Sequence, residues 1–140
     1  MLIQPGLGQD WPYDYARTIN PTRRALEKNL AALEGGVDAR CFASGMSAIL
    51  ATCMGLMSQG DHLVSSRSIF GSTTVLFNKY LSKFGIETSY VDLTDLAYWE
   101  RQIRPTTRLL FLETPSNPLL RITDIEAVTR AAGACGALVA

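Results

Sequence analysis

Three short stretches of the sequence place small, polar and aromatic residues where a strand would lead into a helix. The first covers residues 43–47, Ala-Ser-Gly-Met-Ser, in which Gly45 allows close approach of the backbone. The N–H groups of a following helix could then hold an anion such as phosphate. A tight turn with Ser44 as the helix N-cap explains the same residues, and the spacing alone favours this simpler interpretation.

The second and third stretches offer an aromatic ring and an amide. Phe70 follows a predicted strand and precedes Gly71, so its ring could stack on a flat ligand, although an aromatic residue at a strand end more often belongs to the core. Residues 113–118, Glu-Thr-Pro-Ser-Asn-Pro, carry two prolines, and Pro118 holds Asn117 extended. The amide of Asn117 could donate to a ligand oxygen, or it could form an Asx turn.

Outside these stretches, the residues that could do chemistry are few. Arg17 and the hydroxyl of Tyr15 suit a phosphate, while a solvated surface arm explains them equally well. His62 is the only histidine, and because no triad or metal-ligand spacing surrounds it, we predict a structural role. The GxGxxG and Walker motifs are absent. The residues alone therefore predict an anion site but no reaction and no metal.

Strand and helix patterns alternate along the chain. Asn20 as N-cap and Pro21 begin a helix that Gly35 ends. Further helices are predicted over residues 46–57, 73–84, 95–104 with Thr94 as cap, and 125–134 with Asp124 as cap, and strands over residues 39–43, 62–66, 86–91, 109–112 and 137–140. This alternation predicts an α/β fold, a mostly parallel sheet with helices on both faces.

The composition fits a globular protein. Of 140 residues, 47% are hydrophobic and 19% charged, and 13 basic residues balance 13 acidic ones. This predicts no binding to nucleic acid or to a membrane, and the apolar runs are too short to span a bilayer. Three cysteines without paired spacing indicate reduced thiols in a cytoplasmic protein. We expect an irregular arm over residues 1–20 and an incomplete large domain over residues 21–140, because the sequence stops within an apolar run.

Six motifs in register resemble the cystathionine γ-synthase (Cys/Met metabolism) family of enzymes that depend on pyridoxal 5'-phosphate (PLP). They are Tyr-Ala-Arg at 15–17, Asn-Pro-Thr at 20–22, Leu-Glu-Gly-Gly at 33–36, Phe-Ala-Ser-Gly-Met-Ser-Ala-Ile at 42–49, Gly-Asp-His at 60–62 and the loop at 113–118. The likeness runs from about Tyr13 to the last residue. Residues 66–73 look most like O-succinylhomoserine sulfhydrylase.

The resemblance implies part of a fold-type-I large domain and roles for individual residues. Backbone amides of Ser44, Gly45 and Met46 would hold the cofactor phosphate. Tyr15 and Arg17 would reach the phosphate in the neighbouring subunit, which implies a homodimer or homotetramer.

The resemblance also assigns residues to the cofactor ring. Phe70 would stack on the ring where many relatives carry tyrosine, and the missing phenol argues against a lyase. Asn117 would bond the ring oxygen or the amino-acid substrate, and Glu113, on the same loop, is a further residue that would bind the cofactor.

The implied activity is γ-replacement on O-succinyl- or O-acetylhomoserine by sulfide or a thiol, giving homocysteine. None of the three lysines (Lys28, Lys79 and Lys83) matches the family's cofactor lysine, so no catalytic residue is assigned in this chain. The alternatives are a cystathionine γ-synthase, a cystathionine lyase, or an inactive short protein that associates with a full-length paralogue.

Overall fold

The computed structural model describes Gly6, Tyr13, residues 15–92 and residues 94–140. The chain divides into two compact units, Met1–Gly45 and Met46–Ala140. The predicted arm over residues 1–20 lies mostly outside the described residues, so the division near residue 20 stays a prediction. The helices are α1 (Pro21–Leu33), α2 (Gly45–Leu56), α3 (Gly71–Val75), α4 (Leu96–Gln102) and α5 (Ile125–Cys135), and the strands are β1 (His62–Ser66), β2 (Glu87–Val91), β3 (Thr107–Phe111) and β4 (Leu138–Val139).

The first unit is built on α1. Asn20 caps the helix as predicted, since its side chain accepts the N–H groups of Thr22 and Arg23. The predicted strand over residues 39–43 is wrong, because this segment has no strand structure. Two of its backbone N–H groups instead find carboxylates: Ala39 donates to Asp38, and Cys41 donates to Glu27. Side-chain acceptors thus replace the neighbouring strand that a sheet would require.

The second unit contains a four-stranded parallel sheet in the order β2-β1-β3-β4. The five residues of β1 pair one to one with the five of β2. Val64 and its strand neighbours are buried throughout β1, as expected of a central strand in a parallel sheet covered on both faces. Among the residues that the structure describes, no helix is long and apolar enough to span a bilayer.

Helices cover both faces of the sheet, as predicted. Leu63 and Leu109 point to one face, where they pack with residues of α2 and of the segment that follows β1. Val64 and Leu110, their neighbours in sequence, point to the other face and pack with Trp99 of α4 and with α5. This alternation along each strand divides the core into two layers.

The helix predicted over residues 73–84 begins two residues earlier and is not uniform. Helix α3 is followed by a π-helical turn, Leu76–Tyr80, and a 3-10 turn, Leu81–Phe84. Gly85 ends the segment in the left-handed conformation, with φ of 74°. The sequence thus predicted the end of this segment but not the changes in helical hydrogen bonding, for which no residue pattern gave a signal.

The remaining elements differ from prediction by one to a few residues. β1 matches the prediction, and Asp124 caps α5 as expected. Thr94 is not the cap of α4, because the side chain of Asp95 accepts the N–H of Tyr98. The N–H and the hydroxyl of Thr94 instead donate to Asp92. Thr94 and Asp95 are both favourable N-cap residues, and the helix begins one residue later than predicted, after Asp95.

Candidate cofactor site

The sheet order puts two of the three predicted loops next to each other. β1 and β3 are neighbours at the centre, and the chain leaves them in opposite directions, towards β2 and towards β4. In open parallel sheets, ligands bind outside the carboxyl ends of the strands where the order reverses in this way. Here that point lies between the loop after β1, which carries Phe70, and the loop after β3, which carries Glu113 and Asn117.

The ring of Phe70 lies at the surface. It is 59% exposed, so the interpretation as a core aromatic is wrong. Phe70 is the N-cap of α3, with φ of −54° and ψ of 132°, and its carbonyl accepts the N–H of Thr73 at 2.9 Å. The backbone is therefore held by the start of the helix while the ring faces solvent beside the carboxyl edge of the sheet.

Glu113 joins the two loops. Its Oε2 accepts the N–H of Phe70 at 3.0 Å, across the point where the strand order reverses. The sequence placed Glu113 on the correct loop but gave no signal of this contact, because 43 positions separate the two residues. The contact could be foreseen only from the adjacency of β1 and β3.

A groove of about 540 Å³ adjoins the start of α3. It is lined mainly by apolar side chains that include Met46, Phe70, Val75 and Tyr80. The hydroxyl of Thr73 donates to the sulfur of Met46 at 3.7 Å. The predicted site residues Met46 and Phe70 are therefore brought together in the second unit.

Asn117 lies at an exposed turn of the loop after β3. Among the described residues it forms no Asx-turn hydrogen bond. The peptide bonds that precede Pro115 and Pro118 are cis. The neighbouring Ser116 is fully buried and bonds twice to Arg121, through its N–H to the carbonyl and through its hydroxyl, which accepts the backbone N–H.

An ion pair ties this loop to the end of β2. The guanidinium of Arg121 lies 2.8 Å from Asp92. Hydrogen bonds from the hydroxyl and the backbone N–H of Thr94 lower the pKa of Asp92, and Arg121 lowers it further. Sequence reasoning did not single out Asp92 or Arg121, because an ordinary acid and arginine outside any motif give no signal. Ser116 belongs to the motif at residues 113–118, but the sequence assigned no role to it.

Tyr15 and Arg17 contact each other in the first unit. The guanidinium carbon of Arg17 lies 4.5 Å from the centre of the Tyr15 ring, and both residues are exposed. The turn that carries them is fastened by Arg23, whose guanidinium donates to the carbonyls of Ala16 and Thr18. Tyr15 and Arg17, which the sequence offered together as a candidate phosphate site, therefore lie in contact at this turn.

Ser44 and Gly45 lead into the first turn of α2 and are exposed. That turn carries no acidic side chain, so α2 itself presents no negative charge to an anion at its N-terminus. An exposed ring, an amide and a helix start free of acids are the groups that a flat, phosphorylated cofactor requires, and the residues present fit PLP.

His62 is structural, as predicted. It is 1% exposed, and its Nδ1 and Nε2 lie 2.8 Å from the hydroxyl of Thr107 and 3.0 Å from that of Ser89. Burial lowers the pKa of His62, the charge of Arg104 lowers it further, and Glu87 opposes this. No cluster of metal-ligating side chains is present in the part of the chain that the structure describes.

Comparison with known proteins gives consistent relatives. The sequence profile of the Cys/Met metabolism PLP-dependent enzymes matches residues 4–140. The chain is 54% identical over 126 residues to an O-succinylhomoserine sulfhydrylase from Pseudomonas aeruginosa, covering 90% of this chain and 31% of that protein. It is 48% identical over 126 residues to cystathionine beta-lyase MetC from Bacillus subtilis, covering 90% of this chain and 32% of that protein.

A solved structure shares the fold. Cystathionine gamma-lyase from Lactobacillus plantarum, complexed with L-serine, superposes with a TM-score of 0.88 at 44% identity, covering 99% of this chain and 36% of that one. The fold is thus that of the fold-type-I PLP-dependent enzymes. The chain belongs to the Cys/Met metabolism family of PLP-dependent enzymes. It spans about a third of the length of these relatives.

Proposed function

We propose that this protein is a sulfhydrylase that acts on O-succinyl- or O-acetylhomoserine. A sulfide or thiol would displace the acyl carboxylate from the γ-carbon, so that one C–S bond forms as one C–O bond breaks, and homocysteine or a related thioether results. Bound PLP supplies the electron sink that such chemistry at an amino acid requires. The lysine that holds PLP covalently lies outside these 140 residues in this proposal.

The first role of the residues present is to bind the cofactor phosphate. Backbone N–H groups of Ser44, Gly45 and Met46, at the start of α2, would donate to it. Tyr15 and Arg17 of a neighbouring subunit would reach the same phosphate, and their contact in one cluster supports a joint role. Because a second subunit would complete each site, the enzyme would be a homodimer or homotetramer. We propose a cytoplasmic location for it.

The second role is to orient the cofactor ring. Phe70 would stack on one face of the ring, which excludes water from that face. The amide of Asn117 would donate to the ring oxygen or to the amino-acid substrate. Both residues lie on loops at the carboxyl edge of the sheet, where β1 and β3 meet.

The observation that carries the choice of reaction is the exposed phenyl ring of Phe70. A phenol at this position could move a proton as acid or base, whereas phenylalanine can only stack. Elimination from cystathionine makes heavier use of such a group than replacement does in this proposal. The 54% identity to a sulfhydrylase supports the same choice.

A cystathionine lyase is the second candidate. The 48% identity to cystathionine beta-lyase MetC favours it, and a cystathionine γ-synthase is a further alternative within the family. A third alternative is an inactive short protein that associates with a full-length paralogue. It accounts for the absence of a family-type cofactor lysine among Lys28, Lys79 and Lys83.

The first experiment is to read the source DNA beyond the codon of Ala140. A continuing frame that encodes an aspartate at a strand end and later a cofactor lysine supports the enzyme. An immediate stop, together with no borohydride-trapped PLP on a specific lysine, supports the inactive protein.

The second experiment assays the product of the continuing frame. Purified protein loaded with PLP is given O-succinylhomoserine or O-acetylhomoserine with sulfide, and separately cystathionine, at equal concentrations. We expect homocysteine formation from an ester to exceed cleavage of cystathionine at least tenfold in kcat/KM, which corresponds to about 1.4 kcal/mol. Faster cleavage of cystathionine would reject the sulfhydrylase in favour of the lyase.

A further inference from the structure

A hydrogen bond between a backbone N–H and a side chain connects the loops after β1 and β3. Glu113 lies two positions beyond the end of β3, and Phe70 lies four positions beyond the end of β1. Oε2 of Glu113 accepts the N–H of Phe70 at 3.0 Å. We propose that Glu113 is a positioning residue, which fixes the backbone of Phe70 and so sets the place of its ring, and that it does not itself bind the cofactor.

Phe70 depends on a partner from outside its own loop. The strand ladder of β1 ends at Ser66, and the side chain of Ser66 accepts the N–H of Ser68 at 2.9 Å. Phe70 is the N-cap of α3, and its own side chain caps nothing. Its carbonyl is used by the helix. Its N–H is therefore the group of this residue that still requires an acceptor, and Glu113 supplies it.

Both ends of the contact are anchored by packing on the sheet side. The rings of Phe77 and Phe111 meet edge to face, with centres 5.3 Å apart and planes at 87°. Phe111 is the last residue of β3, and Phe77 lies in the π-helical turn that directly follows α3. The end of β3 thus holds the helical segment twice, through an apolar contact in the core and through Glu113 at the edge.

The side chain of Phe70 has little packing of its own. Because the residue is 59% exposed, its neighbours restrict the ring weakly. The position of its Cα, fixed by Glu113 and by the first bonds of α3, therefore determines where the ring stands. The Oε2 atom of Glu113 is directed at the backbone N–H of Phe70, as a positioning role requires.

Amide hydrogen exchange on the ¹⁵N-labelled 140-residue chain tests this inference without any cofactor. We compare the native chain with Glu113→Ala, which removes the acceptor, and Glu113→Gln, which retains an oxygen that can accept. Exchange at Phe70 should accelerate about tenfold in Glu113→Ala and much less in Glu113→Gln, as expected for one hydrogen bond. Exchange at Ser68, whose acceptor is Ser66, should stay unchanged in both.

A matched control is Glu126→Ala on α5, where the carboxylate pairs with the exposed Arg130. It should leave exchange at Phe70 and Ser68 as in the native chain. Equal exchange at Phe70 in the native chain and in Glu113→Ala would overturn the inference. So would an equal acceleration at Ser68, because that result would indicate general loosening of the loop.

A binding measurement separates positioning from direct contact, and it rests on the proposed function. The probe is pyridoxine 5'-phosphate, which has the ring and phosphate of PLP but no aldehyde, measured by equilibrium dialysis. Positioning predicts weaker binding in Glu113→Ala, by about five- to tenfold, and recovery in Glu113→Gln. Equal weakening in both variants would show that the carboxylate itself contacts the ligand. Absence of binding to the native chain would count against the proposed cofactor site, while the exchange result would still decide the role of Glu113.

Discussion

Two glycines in the second unit have the same backbone conformation but different surroundings. Gly85 ends the segment after β1 with φ of 74° and ψ of 22°, and Gly136 ends α5 with φ of 73° and ψ of 18°. A Cβ atom at Gly136 would meet nothing within 4 Å, whereas one at Gly85 would lie 2.7 Å from Cγ of Gln59. Alanine at the two positions therefore separates backbone strain from steric overlap.

The expected costs follow from these contacts. The left-handed conformation costs an alanine about 1–2 kcal/mol, and the lower entropy of the unfolded alanine chain returns about 0.4–1 kcal/mol. Gly136→Ala should therefore lower the free energy of unfolding by about 1 kcal/mol. Gly85→Ala carries the same strain and also displaces the side chain of Gln59 from its rotamer, which adds about 0.5–1.5 kcal/mol.

The assay is urea unfolding at 25 °C, followed by far-UV circular dichroism on the native chain and on each variant. A third variant, Gly85→Ala with Gln59→Ala, removes the overlapping Cγ and leaves Cβ, which would lie 3.6 Å from the new methyl group. The double variant should recover the extra cost, so that the alanine at position 85 becomes no more costly than Gly136→Ala. Gln59→Ala alone should change little, because Gln59 is exposed.

Either of two results would refute this reasoning. If Gly85→Ala is no more costly than Gly136→Ala, the overlap with Gln59 has no energetic consequence. If the double variant shows no recovery, the extra cost at Gly85 has another origin. Equal slopes of free energy against urea in all variants are required for the comparison, because a changed slope indicates a changed unfolded state.

Two further predictions concern the buried core. Trp99 is fully buried, and its indole donates to the carbonyl of Asp92 at 3.0 Å. Trp99→Ala should therefore lower the free energy of unfolding in urea by about 3–5 kcal/mol. Phe84 is 57% exposed, so Phe84→Ala should lower it by less than about 0.5 kcal/mol. The lowered pKa of His62 means that the unfolded chain takes up the proton first, so stability should be full above the unfolded pKa near 6.5 and should fall below it. Between pH 6.5 and 5.5, the free energy of unfolding of the native chain should fall more steeply than that of His62→Gln. The difference in slope should be less than about 1.4 kcal/mol per pH unit, the limit for one proton. Parallel profiles of the two proteins would contradict this assignment.

Local sequence signals predicted the elements of the second unit well. β1 was predicted at its observed bounds, and the cap at Asp124 was correct, because burial and capping depend on neighbouring residues. The strand predicted over residues 39–43 was wrong because its hydrogen-bond partners are not encoded in its own apolar pattern. The N–H of Ala39 donates to Asp38, and the N–H of Cys41 donates to Glu27, which is 14 positions away in the sequence.

The sequence predicted the loops on which the candidate residues lie, but not how those loops are arranged. Motifs placed Phe70 and Asn117 on the correct loops, since a resemblance to a family transfers residues position by position. The contact between Glu113 and Phe70 depends on the order of strands in the sheet, and no short stretch of sequence encodes that order. The exposure of Phe70 could not be predicted for the same reason, because its surroundings are formed by loops that meet only after the sheet assembles.

The sheet order also explains why one loop can control another at this edge. With β1 and β3 adjacent, the end of β3 contacts the π-helical turn after α3 through Phe111 in the core, and Glu113 at the surface contacts Phe70, the N-cap of α3. The apolar contact resists separation of the two elements, but it leaves the backbone at Phe70 without an acceptor. The carboxylate of Glu113 supplies that acceptor for the N–H of Phe70, the residue whose ring is exposed. A substitution at Phe70 would therefore change the group that the site offers for stacking, whereas a substitution at Glu113 would change the position of the Phe70 ring.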